Sequence, residues 1–188
     1  TLDKMGKAHP DLSDYSKYIG PPLLHTFMNL CKLNESEAQT AVEIYVKYYD
    51  EYGVAANKLF DGMEHVLSTL KDNGVRLAVC SSKHEEIATR VVQSLNVHHY
   101  FERICGSTVD GSRKEKPDLI PYALKELKST DADRVVMIGD TKFDAVGAHV
   151  CNVDFIGVTY GYGTKADMIA GFAEVFADTS HELLEYIL

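Results

Sequence analysis

The chain has 188 residues, 45% of them hydrophobic, enough for one good core and a smaller subdomain but hardly for two full domains. It carries 19 basic against 28 acidic residues, a net charge of -9 with no polybasic cluster, which argues against a nucleic-acid or anionic-membrane surface. Cys31, Cys80, Cys105 and Cys151 are scattered through apolar contexts with no CxxC, so they are expected as buried free thiols in a reducing compartment, the cytoplasm.

No apolar run reaches the length of a membrane span, and no leader pattern is visible. The opening "TLDKMGK" reads as the end of a helix and places the natural start upstream. "LSDYSKYIGPPLLHTFMNLC" and "NESEAQTAVEIYVKYYDEYG" are helical patterns with no strand between them, divided by Gly20, Pro21 and Pro22. Asn34 followed by Glu37 predicts a capped start for the second. Residues 1–56 therefore read as a small helical cap.

From residue 57 to 188 the pattern alternates. "GMEHVLSTLKDNG", "KHEEIATRVVQSLN", "PDLIPYALKELKS", "FDAVGAHVCN" and "SHELLEYIL" read as helices. Between and around them "VRLAVC", "RICGS", "RVVMIG", "DFIGVTYG" and "AEVFAD" read as strands. Short continuous apolar strands separated by helices predict a doubly wound α/β core with a parallel sheet covered on both faces.

Ligands of such sheets gather at the carboxyl ends of the strands. After "VVMIG" come Asp140 and Asp144, four residues apart on one side of a helical turn. They read either as an N-cap with a solvated neighbour or as a pair held together by a divalent cation. After "LAVC", Ser82 and Glu85 have capping-box spacing, which leaves Ser81 for a turn hydrogen bond or for a phosphate at the helix N-terminus. In "GSRKEKPDLI", Pro117 suits the first helical position and puts Lys116 at the helix start, where a cation opposes the dipole unless an anion lies between. It reads either as an exposed loop lysine or as an anion ligand, with Arg113 and Lys114 as solvated neighbours.

With hydroxyl, lysine and acid pair at successive strand ends, the chain resembles the haloacid dehalogenase-like hydrolase superfamily, and its phosphoglycolate phosphatase-like branch above all. The resemblance runs through "YIGPPL", "LAVCSSK", "KP", "MIGDTKFD" and "IGVTYGYG". It implies that Asp140 and Asp144 bind Mg²⁺, that Ser81, with Ser82 beside it, and Lys116 contact the phosphate, and that the last stabilises the transferring phosphoryl group. The implied activity is Mg²⁺-dependent hydrolysis of a small phosphorylated metabolite under a closing cap. The tyrosine-rich helix (Tyr45, Tyr48, Tyr49, Tyr52) reads as cap packing or a substrate wall. "GYG" (Gly161 to Gly163) reads as a turn near the same end of the sheet. The histidines, including His84 and His98–His99, show no ligand spacing and read as surface or helix-end residues.

One element of the resemblance is missing. The family reaction needs a nucleophilic aspartate in "DxDGT" at the end of a central strand, and residues 1–56 contain neither an apolar strand nor a DxD; Asp11 and Asp14 follow no strand. By resemblance that strand lies between "LAVC" and "VVMIG", so its absence would leave two strand edges unpaired. Three explanations stand: the strand lies upstream of Thr1, a second chain supplies it, or the protein is a pseudo-phosphatase that binds phosphate without hydrolysis. A phosphoacceptor receiver domain is the remaining rival, but it needs its acids first in the chain.

Overall fold

The computed structural model describes the chain apart from Leu12, Asp14, Ser16, Lys17, Val109, Asp110 and residues 130–134. Asp14 and the first residue of the expected "RVVMIG" strand thus lie outside the described residues. The chain divides into two compact units, Thr1–Asn57 and Lys58–Leu188.

The first unit is helical. α1 (Leu23–His25) follows Pro22 and runs into a wider π-helical turn, Thr26–Leu30. α2 (Glu35–Tyr48) starts at the expected cap: Asn34 Oδ1 accepts from Glu37 N at 3.0 Å, and Glu37 Oε2 accepts from Asn34 N at 3.1 Å. Phe27, Leu33, Ala38 and Ala41 form its core, with Tyr45 packed against them. The tyrosines split by helical phase. Tyr45 meets Phe27 edge-on and stacks on Tyr49, whereas Tyr48 and Tyr52 are 53% and 55% exposed.

The second unit is α/β. In chain order it contains α3 (Met63–Asp72), β1 (Ala78–His84), α4 (Glu85–Ser94), β2 (Arg103–Ser107), α5 (Lys116–Glu126) and β3 (Val136–Gly139). α6 (Lys142–Val150), β4 (Asp154–Val158), α7 (Lys165–Ala170), β5 (Val175–Ala177) and α8 (Glu182–Ile187) follow. Helix α3 buries Val66, Leu67 and Leu70, the stripe that a 3.6-residue period dictates. It stops where Gly74, at φ 77°, lets Gly74 N and Val75 N cap the carbonyls of Lys71 and Leu70. Pro121 withholds an N–H from the Pro117 carbonyl inside α5, and the Cys151 thiol donates to that oxygen instead, at 3.8 Å.

All strand pairings are parallel, but the strands form two sheets, β1-β2 and β3-β4-β5. No ladder joins β1 to β3 among the described residues. Every residue of β1 and β3 is half-buried, while β2 and β4 each finish in three buried residues. A parallel strand inside an α/β sheet is normally paired on both edges and buried on both faces. Among the described residues β2 and β5 also have one partner each; what sets β1 and β3 apart is that they are half-buried along their whole length. Leu70, Ile156, Val158, Ala177 and Leu183 form a core cluster with Val136 and Ile138 of β3 packed against it.

One local expectation is corrected and one element is added. β1 does not end at Cys80. Its register with β2 shifts after Cys80↔Cys105 and resumes at His84↔Ser107, so His84 precedes α4 and the Ser82–Glu85 capping box does not form. Tertiary contact decides this. Gly106 lets the start of α4 come close, since an added Cβ would sit 2.5 Å from Glu85 Cα, and Glu85 Oε2 accepts from Gly106 N at 3.1 Å. The added element is α7, capped by Thr164, whose Oγ1 accepts from Asp167 N at 3.1 Å. "TKAD" is itself a capping signal that the sequence reading passed over.

Candidate active site

The expected groups lie at the carboxyl ends of β1 and β3. Lys116 opens α5 and is 8% exposed, so it is not a loop lysine in solvent. Its Nζ donates to the Cys80 carbonyl of β1 at 2.7 Å and pairs with Asp144 Oδ1 at 2.7 Å. One ammonium thus bridges β1 to the first turn of α6. A buried ammonium is tolerable only with such partners.

Asp144 is buried rather than solvated. While Oδ1 faces Lys116, Oδ2 accepts from Thr141 N at 3.1 Å and from Thr141 Oγ1 at 2.7 Å. Thr141, not Asp140, is the N-cap of α6. Asp140 behaves differently. Its Oδ2 accepts from Tyr162 N at 2.7 Å, and its Oδ1 has no partner among the described residues. The two acids therefore do not act as an equivalent pair.

Ser81 falls in the irregular part of β1, and its Oγ accepts from Lys83 N at 3.2 Å, the local turn bond. It directly follows the carbonyl that holds Lys116. The Ser82 hydroxyl makes no hydrogen bond among the described residues. Arg113 is no solvated neighbour. Its Nε donates to Gly106 O at 2.8 Å, its Nη2 donates to Glu85 Oε2 at 2.8 Å, and its guanidinium lies 3.6 Å over the Tyr122 ring. Arg113 thereby ties the end of β2 to the start of α4 and to α5, the helix that carries Lys116.

Three close approaches escape a sequence reading. A Cβ on Gly139 would overlap Asp144, one on Gly147 would overlap the Lys116 side chain, and one on Gly161 would overlap the Asp140 carboxylate. Each key side chain lies against a glycine, because only a missing Cβ leaves room. The spacing "FDAVGAHV", a glycine inside a helix where alanine is preferred, was the available signal for Gly147.

The surroundings raise nearby acids. Burial pushes the Cys80 thiol up, with Lys116 opposing it. Burial, then the charge of Asp140, pushes the Tyr160 hydroxyl up to about 12. The Tyr160 hydroxyl and His84 Nδ1 are buried without a hydrogen-bond partner among the described residues. All four cysteines are free, and only Cys105 is fully buried.

A divalent cation fits part of this arrangement. Mg²⁺ takes one or two carboxylates and fills its octahedron with phosphate oxygens and water. Asp140 Oδ1 meets that requirement; the Asp144 oxygens are committed elsewhere. Among the described residues no group of three His, Cys, Asp or Glu side chains gathers to hold a metal.

The sequence profile described as haloacid dehalogenase-like hydrolase matches residues 1–158. The chain belongs to the haloacid dehalogenase-like hydrolase family. It is 38% identical to the tyrosine-protein kinase PtkA of Mycobacterium tuberculosis, over 89% of this chain and 56% of that protein. It is 34% identical to a 5′-nucleotidase of Pseudomonas aeruginosa, over 90% of this chain and 76% of that one. Phosphoglycolate phosphatases are also among its relatives. The crystal structure of a predicted phosphatase from Clostridium acetobutylicum superposes with a TM-score of 0.92 at 35% identity, covering 99% of this chain and 86% of that one. The chain spans little more than half the length of the mycobacterial relative. Among its described residues, no helix is long and apolar enough to cross a membrane.

Proposed function

We propose that the α/β unit is the core of a Mg²⁺-dependent phosphomonoester hydrolase acting on a small phosphorylated metabolite. The observation that carries the reading is Lys116: a nearly buried ammonium held between the Cys80 carbonyl and Asp144 at the strand ends. Such a fixed cation stabilises charge that builds on a transferring phosphoryl group and costs no reorganisation during the reaction. Asp144 is the positioning residue that aims it. Ser81, with Ser82 and the start of α4 beside it, contacts the phosphate.

Asp140 Oδ1 is the metal-holding oxygen in this reading, and the bound ion supplies charge neutralisation on the phosphate oxygens. Asp144 is reassigned from metal ligand to lysine partner. The helical unit serves as the cap that selects substrate. The nucleophilic aspartate is expected upstream of Thr1, on a strand that enters between β1 and β3. Its carboxylate oxygen attacks phosphorus as the ester P–O bond breaks and the alcohol leaves with a proton, and water then attacks the aspartyl phosphate to release inorganic phosphate and restore the carboxylate. Two half-buried strands that share no ladder support this placement. The 5′-nucleotidase and phosphoglycolate phosphatase relatives support phosphomonoester chemistry, and the reading is of a cytoplasmic enzyme.

The test compares Thr1–Leu188 with the same chain carrying its upstream coding segment, assayed on a panel of phosphomonoesters with and without Mg²⁺. Hydrolysis is expected only with the segment and the metal together. A restored chain that hydrolyses none of them sinks the proposal, and the non-catalytic phosphate-binding alternative then stands.

A further inference from the structure

Helix α4 opens on a conflict of charge. Its first turn carries Glu85 and Glu86, yet Ser81 and Ser82 just ahead of it are the proposed phosphate contacts. Acids suit a helix N-terminus, but a carboxylate there competes with any other anion for the same field. The fold draws the Glu85 carboxylate aside. Its Oε2 accepts from Gly106 N at 3.1 Å and from Arg113 Nη2 at 2.8 Å, groups that belong to β2 and to the loop after it. Arg113 is held firmly in turn. Its Nε donates to Gly106 O at 2.8 Å, its guanidinium lies 3.6 Å over the Tyr122 ring, and its side chain is only 16% exposed. A fork fixed on three sides holds its carboxylate far better than a mobile surface pair does. Gly106 N needs only an acceptor, which a glutamine would also supply. The charge of Glu85 is what requires the arginine.

We propose that Arg113 is a positioning residue of the phosphate subsite, neutralising Glu85 and holding its carboxylate toward β2 so that the start of α4 meets phosphate without a competing anion. The inference rests on the reading of Ser81, Ser82 and the start of α4 as the phosphate contact. Arg113 touches no substrate in it and acts through Glu85. The consequence is a signature that a purely structural tie cannot produce. Removing the arginine leaves a bare carboxylate beside the subsite, whereas removing the carboxylate leaves a bare guanidinium there. The two changes shift phosphate affinity in opposite directions and cancel when combined. Each shift has the size of an ordinary charge effect at a helix terminus, about two- to fivefold. Lys83 and Glu86 flank the same turn, but neither is altered, so their charges drop out of every comparison.

The experiment titrates inorganic phosphate into the chain as it exists, at low ionic strength, and follows the Ser82 to Glu86 amide signals by NMR, which reads weak binding. Arg113→Gln should raise the phosphate midpoint about two- to fivefold, Glu85→Gln should lower it by a similar factor, and the double variant should return near the wild type. Added salt should shrink all of these differences, because Glu85 is partly open to solvent. Thermal melting checks that each variant stays folded. Glu85→Gln keeps an acceptor for Gly106 N and carries the test even if Arg113→Gln does not fold: a midpoint that is unchanged or raised overturns the inference. A folded Arg113→Gln with the wild-type midpoint, or a double variant as weak as Arg113→Gln, makes Arg113 a structural tie alone and also overturns it, while the phosphate contact stands. If phosphate moves none of these amides in the wild type, the phosphate reading of this turn falls, and the inference with it.

Discussion

Replacing Lys116 by methionine keeps most of the side-chain volume and removes one charge from a buried pair. Both side chains are 9% exposed, and Nζ lies 2.7 Å from Asp144 Oδ1. At an effective dielectric of 20 the gross attraction is about 6 kcal/mol, most of it offset by the desolvation of both groups. The variant is nevertheless expensive, since Asp144 stays behind as an uncompensated buried carboxylate. Breaking such a pair from one side costs about 3–5 kcal/mol, and the Cys80 carbonyl loses its donor for about 1 kcal/mol more. Urea unfolding followed by circular dichroism should show a midpoint lowered by roughly 2 M, taking an m-value of about 2 kcal/mol/M. Lys116→Met combined with Asp144→Leu removes both charges and should be more stable than Lys116→Met alone. A single variant within about 1 kcal/mol of wild type, or a double variant as unstable as the sum of the singles, would refute a coupled buried pair.

Gly147→Ala sets two effects against each other. Alanine favours a helix interior by about 1 kcal/mol over glycine, but here its Cβ overlaps the Lys116 side chain. Overpacking of about 1–3 kcal/mol should win, so the melting temperature is expected to fall; a rise would mean that Lys116 does not pack on α6. For alkaline pH the sign follows from thiols and phenols that hold their protons more tightly when folded, two of them by the largest margin. Burial pushes the Cys105 thiol from 9.0 to about 11 and the Tyr160 hydroxyl from 10.0 to about 12. The unfolded chain deprotonates first, so stability is intact below pH 9 and falls through pH 12, by about 1.4 kcal/mol per pH unit for each group titrating. Unfolding of Cys105→Ala should show a shallower decline than the wild type from pH 9 to 10, the remainder coming from Cys31, Cys80 and Cys151, whose thiols burial also pushes up; an unchanged slope would refute the Cys105 contribution.

Much of this molecule is legible in the order of its residues. Continuous apolar runs such as "RICGS" and "DFIGV" gave buried parallel strands because no polar alternation interrupts them. Asn34 and Glu37 capped α2 because a capping box needs only three residues of local chain. What was not legible depends on distant segments. The cap of α4 moved from Ser82 to His84 through contact of Glu85 with Gly106, twenty-one residues further along the chain. Arg113 looked solvated until Tyr122, Glu85 and the Gly106 carbonyl were brought around it. The division of labour between Asp140 and Asp144 was hidden for the same reason. Their spacing is a helical turn in either case, and only the positions of Lys116 and Tyr162 assign each oxygen.

The separation of β1-β2 from β3-β4-β5 also has a mechanical meaning. Backbone ladders couple strands cooperatively, and none crosses between the two sheets among the described residues. Across that seam the Lys116 ammonium joins β1 to α6, because α5 carries the lysine and α6 carries its counter-ion. The α/β unit thus has a seam between β1-β2 and β3-β4-β5, stapled by the Lys116–Asp144 pair together with the Cys151–Pro117 contact and the packing of α3 against β4 and β5. Amide exchange in the two halves should then report how firmly the staple holds. A ligand or strand that bridges the seam would raise protection on both sides at once, so whatever completes this site chemically would also make it fold as one body.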